Sequence, residues 1–189
     1  MVQYTVLRAE KLLDGTGNRP IEHPAVVLQG SRIVNVGRDD QVDPPKGEHV
    51  RQITLENETL LPGLIDSHIH LALGTRGNYE DMMSESDGVH LLTGVVNARE
   101  ALLAGITSVK DAGARNRVTL DLKLGWEKGI IRAPRLFVSG RPLTVPGGHF
   151  HFCNNNECSC VEEIRKRVIH FANEKVDFIK IMASVVGIT

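Results

Sequence analysis

The chain has 189 residues, 41% of them apolar and 24% charged, a globular composition long enough for at least one core, which excludes intrinsic disorder. Its 22 basic and 23 acidic residues give a formal net charge of −1, so no field draws in nucleic acid or an anionic bilayer. The first twenty residues hold no secretory h-region and no apolar run reaches bilayer length, while Cys153, Cys158 and Cys160 crowd into one short stretch. That is the wrong distribution for stapling a secreted domain, and the expectation is a cytoplasmic protein with reduced thiols that acts on small molecules.

Residues 1–58 read as a small β unit. The segments VQYTVLRAEKLL, PAVVLQGSRIVNVG and HVRQITLEN alternate in polarity and are separated by Gly, Pro, Asp and Asn clusters. QVDPPKGE, with two prolines, is a connection between them.

From residue 59 to 189 strand-like runs alternate with segments of helical period. ETLLPGLIDSHIH reads as a first strand, DGVHLLTGVVNAREALLAG as a helix closed by Gly105, and ITSVKDAG as a second strand. RVTLDLKLGWEKG is a second helix, PRLFVSGRPL a third strand, VEEIRKRVIHFANEK an amphipathic helix and VDFIKIMAS a fourth strand. Such β/α steps imply a parallel sheet with helical crossovers. A closed eight-stranded barrel needs about 250 residues, so the stretch supplies either half a barrel or an open sheet. Half a barrel leaves two strand edges and an inner face without partners.

In LPGLIDSHIHL, residues Asp66, His68 and His70 share one parity, so an extended strand points all three the same way. Two imidazoles at i and i+2 reach one cation, and neutral imidazole suits zinc and its neighbours at roughly 2.0–2.1 Å per bond. Lys180 sits in DFIKIMAS beside Phe178 and Met182. Burial there would lower its pKa and leave a reactive amine; the other reading is a lysine snorkelling from a strand end. His149 and His151, in VPGGHFHFC, follow the third strand on the side where α/β enzymes place their site loops. With the cysteines they give H-x-H-x-C-x4-C-x-C, a candidate second zinc site whose plain alternative is a flexible polar loop, CNNNECS. Asp111 ends the second strand, either capping the turn before Gly113 or orienting a ligand. No G-x-S-x-G, P-loop or dinucleotide glycine fingerprint is present.

LLPGLIDSHIHL, AGITSVKDAG, APRLFVSGRPLTVPGGHFH and VDFIKIMAS together resemble the amidohydrolase superfamily, in its imidazolonepropionase-related and Xaa-Pro dipeptidase (prolidase)-like branch. The resemblance implies an α/β fold, a (β/α)8 TIM barrel of which the first four β/α units are present, plus part of a small N-terminal β-sandwich. It implies that His68 and His70 bind the more buried of two divalent metals, zinc being the expected ion, that carboxylated Lys180 bridges the pair, and that His149 faces the substrate. The implied activity is hydrolysis of an amide-type C–N bond in an N-acyl amino acid, an Xaa-Pro-type dipeptide or a cyclic amide by metal-activated hydroxide. The general-base aspartate of the family and its further histidine ligands fall beyond Thr189, so a truncated or partial form is expected. Its partners would be a small-molecule or dipeptide substrate and either a second copy, in a homo-oligomer, or the missing C-terminal half. The alternative is a catalytically inactive half-barrel that associates with itself or another chain.

Overall fold

A computed structural model of the chain describes residues 4–43, 46, 49–74 and 84–183, apart from the side chain of Phe152. Two compact units divide it, Met1–Pro62 and Gly63–Thr189. No described helix is long and apolar enough to cross a membrane.

The first unit holds two small sheets. In the larger, β1 (Tyr4–Arg8) lies between β4 (Pro24–Gln29), antiparallel to it, and β6 (Val50–Thr54), parallel to it, with β5 (Arg32–Arg38) at the edge beyond β4. Gly30, at φ +58, makes the tight β4–β5 connection, as its freedom at positive φ allows. Val6, Ala25, Val27 and Val42 form the core of this unit. The smaller sheet joins β2 (Lys11–Leu12) to β3 (Ile21–Glu22) and β7 (Thr59–Leu60). The connection expected at 41–48 falls partly outside the described residues.

The second unit is a sequence of β/α steps. Strands β8 (Leu64–Ile69), β9 (Ile106–Asp111) and β10 (Arg135–Val138) make a parallel sheet in the order β10-β9-β8. The crossovers contain α1 (Asp87–Leu103) and α2 (Val118–Glu127), and α3 (Val161–Asn173) follows β10. Ser86 caps α1 by accepting from the Val89 N–H at 3.3 Å, which satisfies one of the donors a helix start leaves open. Gly105, at φ +86, ends its last turn. Helices and sheet meet over Leu71, Ala98, Val109, Leu122, Leu136 and Val138.

Two of the expected strands differ. ETLLPGLIDSHIH is not one strand: Thr59–Leu60 pairs with β2 and Leu64–Ile69 with β9. The break falls at Pro62, which has no N–H to give a ladder, and Gly63. A Cβ on Gly63 would meet Thr107 at 2.1 Å (Oγ1), 2.3 Å (Cγ2) and 2.6 Å (Cβ). Gly63→Ala is therefore expected to cost about 1–3 kcal/mol through overpacking, read as a lower urea midpoint. Thr107→Ala should not rescue it, since the Thr107 Cβ itself stands in the way; full rescue would show that the two backbones part freely there.

VDFIKIMAS is the second difference. Only an isolated parallel bridge, Leu143 to Ile181, forms, with the Leu143 N–H donating to the Lys180 carbonyl and the Met182 N–H to the Leu143 carbonyl, each at 2.8 Å. The neighbouring chain explains the shortfall: Gly140 sits at φ +67 and Pro142 has no N–H, so a regular ladder past Val138 is interrupted. Asp177 partly substitutes, accepting from the Val138 N–H at 2.7 Å through Oδ2 while its own N–H donates to the Val138 carbonyl at 2.8 Å. Ser184 and residues 185–189 lie outside the described residues.

Candidate functional site

His68 and His70 stand at the C-terminal end of β8. Between Asp66 and Ile69 the ladder with β9 slips, and Asp66 Oδ1 accepts from the His68 N–H at 3.0 Å. The slip interrupts the alternation that would set all three side chains on one face. The two rings still come together, with centroids 5.5 Å apart and planes at 59°.

His70 Nδ1 lies 2.8 Å from the Gly113 carbonyl. A carbonyl only accepts, so Nδ1 carries the proton and the lone pair of the neutral ring is on Nε2. This is the arrangement in which histidines bind metals, one nitrogen anchored to a backbone carbonyl and the other left to coordinate. The anchor is itself anchored. Asp111, fully buried, accepts from the Gly113 N–H at 2.9 Å through Oδ1 and from the Leu71 N–H at 3.0 Å through Oδ2. Asp111 thus caps the turn and also ties it to the residue following His70. Complete burial pushes its carboxyl up to about 6 from 3.8, against the pull of those two N–H donors.

Phe150, buried, stacks on His70 with centroids 4.9 Å apart and planes at 29°, and takes the edge of His149 at 4.8 Å. His149 is half-buried in the loop after β10, and Lys180 is half-buried on the segment beside that loop. Burial, then the charges of His68, Lys180 and His149, hold the His70 imidazole below the usual histidine range against the Gly113 carbonyl, which raises it. Burial and the Lys180 ammonium lower His149 in the same way. His68, His70, His149 and Lys180 therefore form one electrostatic cluster. Among the described residues no three His, Cys, Asp or Glu side chains converge here; the donor types that do meet, two imidazoles of which one has its outer nitrogen free to coordinate, are those that suit zinc and similar metals.

Lys110 and Phe150 were not among the residues the sequence singled out. The Lys110 ammonium lies over the Phe178 ring at 4.4 Å, a cation–π contact that ties β9 to the Lys180 segment. A lone lysine in ITSVKDAG carries no signal of that partner, which is 68 positions away.

The Cys/His zinc site does not form. Cys153 and Cys158 are buried, Cys160 is exposed, and among the described residues no three His, Cys, Asp or Glu side chains are placed to hold a metal ion. Burial pushes the Cys153 thiol up to about 12, so without a metal it is a protonated, packed thiol.

None of the curated proteins matches the chain. Solved structures do. A prolidase complexed with N-methylphosphonate-L-proline is 30% identical and superposes with a TM-score of 0.81, covering 96% of this chain and 47% of that one. A. niger ochratoxinase is 23% identical with a TM-score of 0.80, covering 97% and 47%. A Xaa-Pro dipeptidase with bound methionine in its active site is 21% identical with a TM-score of 0.78, covering 95% and 47%. At these lower identities the last two show a shared fold. The chain spans about half the length of the structures it matches, and its β/α steps correspond to a partial amidohydrolase barrel; no closed barrel forms among the described residues. The sequence pattern of the amidohydrolase family matches residues 59–187, most of the chain, and the chain belongs to that family.

Proposed function

We propose that this chain supplies part of the active site of a metal-dependent hydrolase acting on amide-type C–N bonds of small molecules: an N-acyl amino acid, an Xaa-Pro-type dipeptide or a cyclic amide. The observation that carries the reading is the His68–His70 pair, with the His70 proton committed to the Gly113 carbonyl so that Nε2 is left as a donor. The family is generally metal-dependent, and the 30% identical prolidase was solved in complex with N-methylphosphonate-L-proline.

In this reading His68 and His70 hold a divalent ion, zinc being the expected one. Lys180, once its neutral amine had added carbon dioxide and released a proton, would be the residue to hold a second ion. A bound ion supplies Lewis acidity, which makes water more acidic and polarises a carbonyl. The chain's own residues do the rest. Asp111 and Gly113 fix the His70 tautomer. Phe150 covers one face of His70 and keeps water from it. His149, beside Lys180 and next to that ring, contacts the substrate. His70, His149 and Lys180 are half-buried while His68 is exposed, so polar contacts are strengthened relative to bulk water at the first three.

Zinc titration of the chain, followed by calorimetry, tests the assignment. The His68→Asn/His70→Asn double variant is expected to bind at least about 100-fold more weakly, the upper end of what losing a mere supporting partner costs, with an unchanged far-ultraviolet circular dichroism spectrum. Zinc affinity equal to that of the unaltered chain would remove the metal assignment.

A further inference from the structure

The segment after the His149 loop, CNNNECS in the sequence, is more than a connection. Asn156 is completely buried, while Asn154 and Asn155 are exposed. The Asn156 Nδ2 donates to the Pro142 carbonyl and to the Phe150 carbonyl, each at 2.7 Å. Those acceptors lie at the two ends of the stretch that carries His149. The Asn156 carbonyl accepts from the Thr144 N–H at 3.1 Å, and the Cys158 N–H donates to the Thr144 carbonyl at 2.8 Å. Glu157 Oε1 adds a bond from the Gly147 N–H at 2.6 Å.

We propose that Asn156 is a positioning residue for the candidate site: its carboxamide closes the 142–150 loop and sets where Phe150 rests on His70 and where His149 is presented. The chemistry of the position is restrictive. A primary amide offers two coplanar N–H donors on one nitrogen, and both are spent on carbonyls that belong to different parts of the loop. Aspartate has no donor there and would set a carboxyl against two carbonyl oxygens. Alanine would strip the Pro142 carbonyl of its side-chain donor, at the desolvation cost such a group carries, and leave the Phe150 carbonyl with only the Cys153 N–H at 3.1 Å. Phe150 needs this hold, because its backbone sits at φ 63, a conformation that a bulky residue keeps only when its surroundings impose it. The inference rests on the reading of His70 and His149 as site residues; the clamp itself is a matter of geometry.

The test is nuclear magnetic resonance on the metal-free chain, labelled with 15N in its histidine rings and asparagine side chains. In the unaltered chain the Asn156 side-chain amide protons should exchange with water far more slowly than those of Asn155. In Asn156→Ala the His70 ring should lose the ring-current displacement imposed by Phe150 and the His149 ring should move. The rings of His23 and His170 should keep their positions, which a general loosening of the fold would not allow. Unmoved His70 and His149 signals in a folded variant would overturn the proposal. Should Asn156→Ala not fold, the exchange measurement decides alone: protection supports the clamp, and exchange as fast as at Asn155 overturns it. A failed zinc titration, by contrast, bears on the proposed function and leaves these spectra unaffected.

Discussion

Gly113→Ala is expected to be among the most damaging single substitutions in the chain. Gly113 has φ +118, and a Cβ there would meet Pro142 at 2.6 Å (Cγ) and 2.7 Å (Cδ) and the Gly140 carbonyl oxygen at 2.9 Å. Forcing a side chain into such a backbone conformation costs of order 1–3 kcal/mol, and overpacking against a proline ring costs about as much again. Together these approach the low end of a domain's whole stability, about 5 kcal/mol. The damage also reaches the site, because the Gly113 carbonyl holds His70 Nδ1. Where the variant still folds, zinc affinity is expected to fall about 10- to 100-fold, as when a supporting partner of a metal-binding histidine is lost. Urea denaturation and zinc titration read the two effects separately, and a variant matching the unaltered chain in both would show that the turn moves freely.

The second large effect depends on pH. Asp111 is fully buried, and burial pushes its carboxyl up to about 6 from an ordinary value of 3.8. The folded chain therefore holds a proton that the unfolded chain has released, and stability falls as pH rises from 3.8 to about 6 and is flat with respect to this group above that. The contribution is roughly 3 kcal/mol across the window. Asp111→Asn has no charge to bury and turns a donor toward one of the two N–H groups, so it is less stable than the unaltered chain below pH 4. Its deficit should shrink by roughly 3 kcal/mol by pH 7 as the unaltered chain takes on the cost of ionising. Urea unfolding curves at pH 4 and pH 7 measure this, and a constant difference between the two proteins would sink the argument.

The β/α alternation was legible because the change in hydrophobic period is a local signal: β9, α2, β10 and α3 lie where the runs place them. The failures have causes outside the local run. The first strand divides because Pro62 lacks a donor and Gly63 passes close to Thr107, a contact with a residue 44 positions on. The fourth strand is reduced to a bridge because its partner carries Gly140 and Pro142, which no inspection of VDFIKIMAS reveals. In the site, the His-x-His spacing led to two rings that do meet, although by way of an irregular ladder that also turned Asp66 onto the backbone. The Asn-Asn-Asn run announced a loop but gave no sign of which amide turns inward. That choice is made by carbonyls at Pro142 and Phe150, so it belongs to tertiary structure. The same holds for the cysteines, whose types suggested zinc but which, among the described residues, are not brought together with two further ligands to hold it.

Phe150 places stability and site integrity in opposition at one position. At φ 63 and ψ 21 its backbone is the kind that glycine or asparagine occupies with least strain, so a chain drifting toward greater thermal resistance would tend to shed the aromatic there. Relief of the main chain would come with exposure of the imidazole beneath, and a sturdier fold would carry a wetter, less ordered pair of histidines.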